Sequence, residues 1–172
     1  MSLSKSIEQA NLNCWYNISQ ICDNLFLSGS EPLKNATQLS HYKIDAIVSF
    51  GHDPKCPYEG VLRYVKRGGY SHIYIPIDDS PNADISVYFE SVGNKILEWA
   101  SQGKLVLVHC HAGVSRSVTM VVYVLLKSMN ALPITPRYTI HDMLSFVRSK
   151  RCVADPNPGF IHQLEKSIGM MK

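Results

Sequence analysis

One short stretch restricts the possible folds of this chain more than any other. Lys104 to His109 (KLVLVH) is almost wholly apolar, and Ser115 to Met129 is apolar on nearly all sides. Between them lies a polar turn carrying Gly113. A short apolar run of this kind is a strand covered on both faces, as in a parallel sheet, and an all-round apolar helix is a buried one. The pair therefore predicts a strand–loop–helix unit at the centre of an α/β domain. With 172 residues, 45% hydrophobic and 18% charged, the chain has enough apolar material for one such core.

The remaining patterns fit around that unit. Asn17 to Ser28 predicts a short hairpin turning at Asp23-Asn24. Leu33 to Tyr42 reads as a brief helix, and Asp45 to Phe50 and Tyr70 to Ile77 as strands. Gly51 to Gly69 reads as a long irregular loop with a weak strand near Val61 to Lys66. Asp84 stands as N-cap before Ile85, Phe89, Val92, Ile96 and Trp99 at helical spacing, a core-facing stripe that runs to about Ser101. Two more helices fit Arg137 to Lys150 and Pro158 to Met171. The expected fold is a central, mostly parallel sheet of about five strands flanked by helices. No internal repeat or interdomain linker is visible.

Composition narrows the function classes. A net charge of +3 is too small to indicate nucleic acid, yet suits a site that receives anions. No apolar run is long enough to span a bilayer, and residues 1–13 carry no export signal. The odd count of five cysteines, irregularly spaced, reads as reduced thiols. The expectation is a cytoplasmic or nuclear monomer without a membrane anchor.

The chemistry-bearing segment is His109-Cys110-His111-Ala112-Gly113-Val114-Ser115-Arg116-Ser117, at the junction where α/β sheets bind ligands. A helix N-terminus leaves backbone N–H groups unpaired and attracts an anion. Gly113 permits a turn that aims consecutive N–H groups into one concavity. Five residues separate Cys110 from Arg116, enough to wrap a tetrahedral dianion with the thiol beneath and the guanidinium forked onto its oxygens. The same field favours thiolate, so the Cys110 pKa is expected to fall below that of an ordinary thiol. A thiolate under a phosphoryl group is a nucleophile for phosphoryl transfer.

These nine positions match the signature His-Cys-x-x-Gly-x-x-Arg-Ser/Thr of cysteine-dependent protein phosphatases. Chance would produce the five fixed positions in roughly one chain in 10⁴–10⁵ of this length. The chain resembles most the small, atypical dual-specificity phosphatases: HCHAGVSRS is close to their loop, IPIDDSPNADIS to their acid loop, PNPGFIHQL to their closing helix and LFLSG to their opening hairpin. The resemblance places the catalytic domain at residues 13–172, with 1–12 as an N-terminal extension. It implies a two-step hydrolysis of phosphotyrosine and phosphoserine/threonine through a phosphocysteine on Cys110, without metal or other cofactor. The partners it implies are phosphoproteins in signalling, kinases among them.

Among Asp78, Asp79 and Asp84, the last is best explained as a helix cap. Asp79 falls on the family's general-acid position, and Asp78 is its alternative. Ser117 is implied to hydrogen-bond the cysteine sulfur, the alternative being a plain helix cap. His109 is implied to order the loop backbone and help set the thiol's ionisation. His111, Ala112, Val114 and Ser115 would contribute backbone N–H groups, with side chains of secondary importance. Asn157 would fix the phosphate loop, or simply start a helix.

Other readings are weaker. His109-Cys110-His111 lacks a second ligand pair at metal spacing. The basic residues Arg63, Lys66 and Arg67 could border a phosphoinositide or RNA 5′-phosphate site, but related enzymes of that kind carry basic residues inside the loop. A silent phospho-binding module would not keep Cys110, Arg116 and Asp79 together. Cys14, Cys22, Cys56 and Cys152 read as core or surface thiols, one of them a candidate partner for an oxidised Cys110. No substrate-tyrosine clamp precedes the loop, which is consistent with a pocket shallow enough for phosphothreonine.

Overall fold

The strands β1 (Ser19–Cys22), β2 (Leu25–Ser28), β3 (Ala46–Gly51), β4 (Ser71–Pro76) and β5 (Val106–His109) form one sheet in the order β1-β2-β5-β3-β4. The computed structural model describes residues 14–34, 36–51, 70–131 and 137–169. Only the β1–β2 hairpin is antiparallel; the β2–β5, β5–β3 and β3–β4 pairs are parallel, as the apolar runs predict. The expected weak strand near 61–66 lies outside the described residues.

Alternation along these strands separates two cores. Leu25, Leu27, Ala46, Val48, Phe50, Val106 and Val108 face one side, where helices α2 (Phe89–Ser101), α3 (Arg116–Asn130), α4 (Ile140–Lys150) and α5 (Pro158–Gly169) pack. Phe26, Ile47 and Leu107 face the other, under a 3₁₀ turn (Glu31–Lys34) and helix α1 (Ala36–His41). Helix α3 is buried at every residue from Arg116 to Val124, so its polar first turn is carried into the interior with it. Phe89 of α2 stacks on Tyr123 of α3 at 4.6 Å between ring centroids, fixing the α2–α3 contact.

Three helix starts differ from the sequence expectation, each for a local reason. The stripe beginning at Ile85 enters α2 only at Phe89, because Ser86–Tyr88 form a 3₁₀ turn. Asp84 caps that turn rather than the α-helix: its Oδ1 accepts from the Ser86 N–H (3.1 Å) and hydroxyl (2.6 Å). Gln163 Oε1, from α5, accepts the Ile85 and Ser86 N–H groups at 2.9 and 3.1 Å, so a distant side chain satisfies the opening donors. The helix expected over 33–42 divides into the 3₁₀ turn and α1. Helix α4 starts at Ile140, where Thr139 and Asp142 form a capping box.

The parallel strands end on one edge. The segments after β2, β4 and β5 converge there, and β5 is flanked by β2 and β3. Register aligns Ser28 and Ser49 with His109 at that edge.

Candidate active site

The turn from Cys110 to Ser115 is held by its carbonyl groups. His111 O accepts the Ser30 N–H (2.8 Å) and Val114 O the Asp155 N–H (2.8 Å). Ala112 O and Gly113 O accept from the Arg151 guanidinium, at 3.0 Å from Nη2 and 2.6 Å from Nε. A peptide plane points its C=O and its N–H in opposite directions. Anchoring these carbonyls outward therefore turns the following amides toward the concave side, and the Gly113 N–H reaches Cys110 Sγ at 3.2 Å. Gly113 adopts φ +67°, and a Cβ there would meet Ser28 C and O and Arg151 Nη2 at 2.5 Å. The position admits only glycine.

Cys110 is fully buried at the base of this cup. Its sulfur accepts a second hydrogen bond from the Ser117 hydroxyl at 3.1 Å, the contact the resemblance implies. Both donors point at the sulfur, an arrangement that accommodates negative charge on it.

Arg116 and Asp79 face each other across the rim. Arg116 is 7% exposed, and its Nη1 donates to Ile77 O at 3.0 Å, which locks the guanidinium beneath the acid loop. Its Nε lies 3.6 Å from Asp79 Oδ2, an ion-pair distance too long for a hydrogen bond. That Nε is buried and has no hydrogen-bond partner among the described residues. Asp79 Oδ1 accepts from the Ser115 hydroxyl (2.6 Å) and from Asn157 Nδ2 (2.9 Å).

Two expectations change here. The Ser115 side chain is not secondary: it ties the acid loop to the phosphate-loop end, and it accepts the Asn157 N–H at 3.1 Å. Asn157 bridges the start of α5 and the acid loop. Its Oδ1 caps α5 through the Phe160 N–H (3.0 Å), while its amide holds Asp79. The carboxylate tied to Ser115, Asn157 and Arg116 is that of Asp79. His111 is exposed and Ala112 and Val114 are half-buried, so these three bear on the cup mainly through backbone.

His109 is fully buried beneath the loop. Its Nδ1 lies 3.3 Å from Cys110 O, which can only accept, so that nitrogen carries the proton. Nε2 then accepts from the Ser49 hydroxyl at 2.6 Å, and Ser49 Oγ in turn accepts from His72 Nε2–H at 2.9 Å. Burial pushes the His109 pKa down to about 3. The ring is therefore neutral at physiological pH, with its Nδ1–H directed at the Cys110 carbonyl. Burial also lowers the His72 pKa.

Arg151, Ser49, His72 and Gly29 were not anticipated. Ser30 N–H and the close approach of Gly29, whose Cβ would lie 3.0 Å from Ala112 O, support the loop from the β2 side. Arg63, Lys66, Arg67 and Cys56 lie outside the described residues. Among those described, no group of three or more His, Cys, Asp or Glu could hold a metal ion, and no helix is long and apolar enough to cross a membrane.

The chain is similar to known proteins in both sequence and fold. The family model described as "Dual specificity phosphatase, catalytic domain" matches residues 25–167. A putative tyrosine phosphatase of Invertebrate iridescent virus 6 is 32% identical over 146 residues, covering 85% of this chain and 88% of its own. Dual specificity protein phosphatase 22 of Mus musculus is 34% identical over 149 residues, covering 87% and 72%. The crystal structure of the Yvh1 phosphatase domain from Chaetomium thermophilum superposes with a TM-score of 0.72 at 28% identity, covering 90% of this chain and 97% of that one. With its catalytic-domain match spanning β2 to α5, the chain belongs to the dual specificity phosphatase family of phosphoric monoester hydrolases.

Proposed function

We propose that residues 13–172 form a catalytic domain that dephosphorylates phosphotyrosine and phosphoserine/threonine in signalling proteins, through a phosphocysteine on Cys110. The observation that carries this reading is the buried Arg116 Nε, a charged donor without a hydrogen bond among the described residues, set opposite Asp79 above a sulfur that already accepts two. A buried guanidinium donor left in this way suits an anion with oxygens to offer.

In the proposed first step Cys110 Sγ attacks phosphorus and the P–O bond to the side chain breaks. The amides of residues 111–115 and Arg116 hold the equatorial oxygens as charge spreads over them. Asp79 gives its proton to the departing oxygen. In the second step the Asp79 carboxylate takes a proton from water, whose oxygen attacks phosphorus. The S–P bond breaks, and the Ser117 hydroxyl stabilises the departing thiolate. Inorganic phosphate leaves. His109, Asn157 and Ser115 position these groups without touching the reacting atoms.

Turnover of p-nitrophenyl phosphate by wild type and Cys110→Ser tests the reading. The variant should lose turnover and still bind phosphate or tungstate. Turnover near wild type would remove Cys110 from the reaction. A panel of phosphotyrosine peptides, phosphothreonine peptides, phosphoinositides and 5′-phosphorylated RNA then separates protein from non-protein substrates.

A further inference from the structure

Away from the cup, two cysteines far apart in sequence meet. Cys14 Sγ and Cys152 Sγ lie 2.8 Å apart across 138 residues of chain, as thiols rather than as a disulfide. The gap is less than 1 Å above the length of an S–S bond, which is about 2.05 Å. Cys152 is exposed and Cys14 partly so, hence a small oxidant can reach the pair. The Cys152 thiol is raised, first by its hydrogen bond with Cys14 and then by burial.

The residue between this pair and the catalytic loop is Arg151. It is fully buried, and Nη1 donates to Cys14 O at 2.7 Å while Nε and Nη2 hold Gly113 O and Ala112 O. Burial lowers its pKa, and the sulfurs of Cys14, Cys110 and Cys152 pull it back up, so one cation serves all three. The covalent neighbour of that cation is Cys152, and a carbonyl it grips is that of Cys14.

We infer that Cys14 and Cys152 are a peroxide-sensitive modification site, closing to an intramolecular disulfide that staples the start of the described chain onto the Arg151 anchor of the catalytic loop. In the first step one thiol attacks the O–O bond of a peroxide, giving a sulfenic acid and water (or an alcohol). In the second, the other thiol attacks that sulfur. An S–S bond forms, the S–O bond breaks and water leaves. Two electrons pass from the pair to the peroxide, and a dithiol reductant returns them. Cys110 takes no part in this pairing.

The test uses the full chain carrying Cys110→Ser, so that the catalytic thiol does not compete. After mild hydrogen peroxide and non-reducing tryptic digestion, mass spectrometry should find the peptide 6–34 joined to 152–166, and dithiothreitol should separate them. Because 6–34 also contains Cys22, Cys14→Ser and Cys152→Ser should each abolish the link and Cys22→Ser should leave it. The oxidised protein should gain roughly 5 °C or more in Tm, and neither single variant should gain any. In an otherwise wild-type, reduced chain, Cys14→Ser and Cys152→Ser should turn over p-nitrophenyl phosphate within about 2-fold of wild type. Disulfide-linked dimers, a link through Cys22, or peroxide products confined to single sulfurs would each overturn the inference. These readouts do not depend on turnover, so they stand apart from the proposed reaction.

Discussion

The Ser115 hydroxyl donates to Asp79 Oδ1 at 2.6 Å, joining the acid loop after β4 to the last residue before α3. Ser115 occupies the N-cap position of α3, yet makes no side-chain cap to its own helix. The hydroxyl that a helix start ordinarily keeps is given to the carboxylate instead. Ser115→Ala should leave Asp79 held by Asn157 and the Arg116 ion pair, and lower kcat about 10-fold, part of the 10²–10⁴ expected of a positioned acid. The loss should grow as the leaving group becomes more basic. Equal losses for p-nitrophenol and alkyl leaving groups would remove Ser115 from acid positioning.

Asp79→Asn should reduce turnover by roughly 10²–10⁴ and Asp78→Asn by far less. The carboxylate that meets Ser115, Arg116 and Asn157 is that of Asp79. Steady-state kinetics on both variants, with a poor leaving group, decide between them; the reverse ranking would assign the acid to Asp78.

Ser117→Ala removes one of the two donors on Cys110 Sγ and leaves the Gly113 N–H. Attack on phosphorus needs only the thiolate, whereas S–P cleavage needs a stabilised departing sulfur. Breakdown of the phosphocysteine should slow by about 10- to 100-fold. Rapid-quench kinetics should then show a burst of phenol followed by a slower steady state.

How much of this was legible in the sequence follows from where each partner's identity is written. The strand KLVLVH, the loop and helix α3 are continuous in sequence and carry their own periodicity, so they could be read directly. Arg151 could not. It follows Lys150 and resembles the end of a solvated helix face, and its partners Ala112, Gly113 and Cys14 bind it by backbone carbonyls, which have no sequence signature. Ser49 and His72 meet His109 only through the register of β3 with β4 and β5, which a single sequence does not encode locally. The displaced start of α2 has the same cause: Gln163 caps the turn from another element.

Acid should destabilise the fold earlier than carboxylate titration alone would. The His109 pKa is about 3 in the folded protein, and in the unfolded chain it returns to about 6.5. Between those values the unfolded state binds a proton that the folded state does not, so stability falls as pH falls through this window. At pH 5 the loss from His109 is about 2 kcal/mol. His72, lowered by burial, adds with the same sign. Urea unfolding at pH 7, 6 and 5 should show this decline, and His109→Gln should flatten its slope whatever the variant's stability at pH 7. An unchanged slope would mean that the buried ring is not the group that titrates.

Gly113→Ala and Gly103→Ala separate two costs that a positive φ usually confounds. Both glycines are left-handed, at φ +67° and +78°. A Cβ at position 103 would meet nothing within 4 Å, whereas at 113 it would press on Ser28 backbone and on Arg151 Nη2 at 2.5 Å. Gly103→Ala should therefore lose about 1 kcal/mol, the left-handed penalty alone, and keep its activity. Gly113→Ala must in addition move the β2 end or the Arg151 guanidinium, both fixed within the buried scaffold, and should lose roughly 2–4 kcal/mol. Displacing that guanidinium frees the carbonyls of Ala112 and Gly113, so the Gly113 N–H opposite the first of them is no longer held toward the sulfur. The folded fraction of Gly113→Ala should then bind tungstate at least 10-fold more weakly, a loss on the scale of one misaligned charge-assisted hydrogen bond. Calorimetry on the two variants side by side measures both effects; equal stabilities, or tungstate affinity unchanged in Gly113→Ala, would show that the Arg151 anchor does not set the direction of the loop amides.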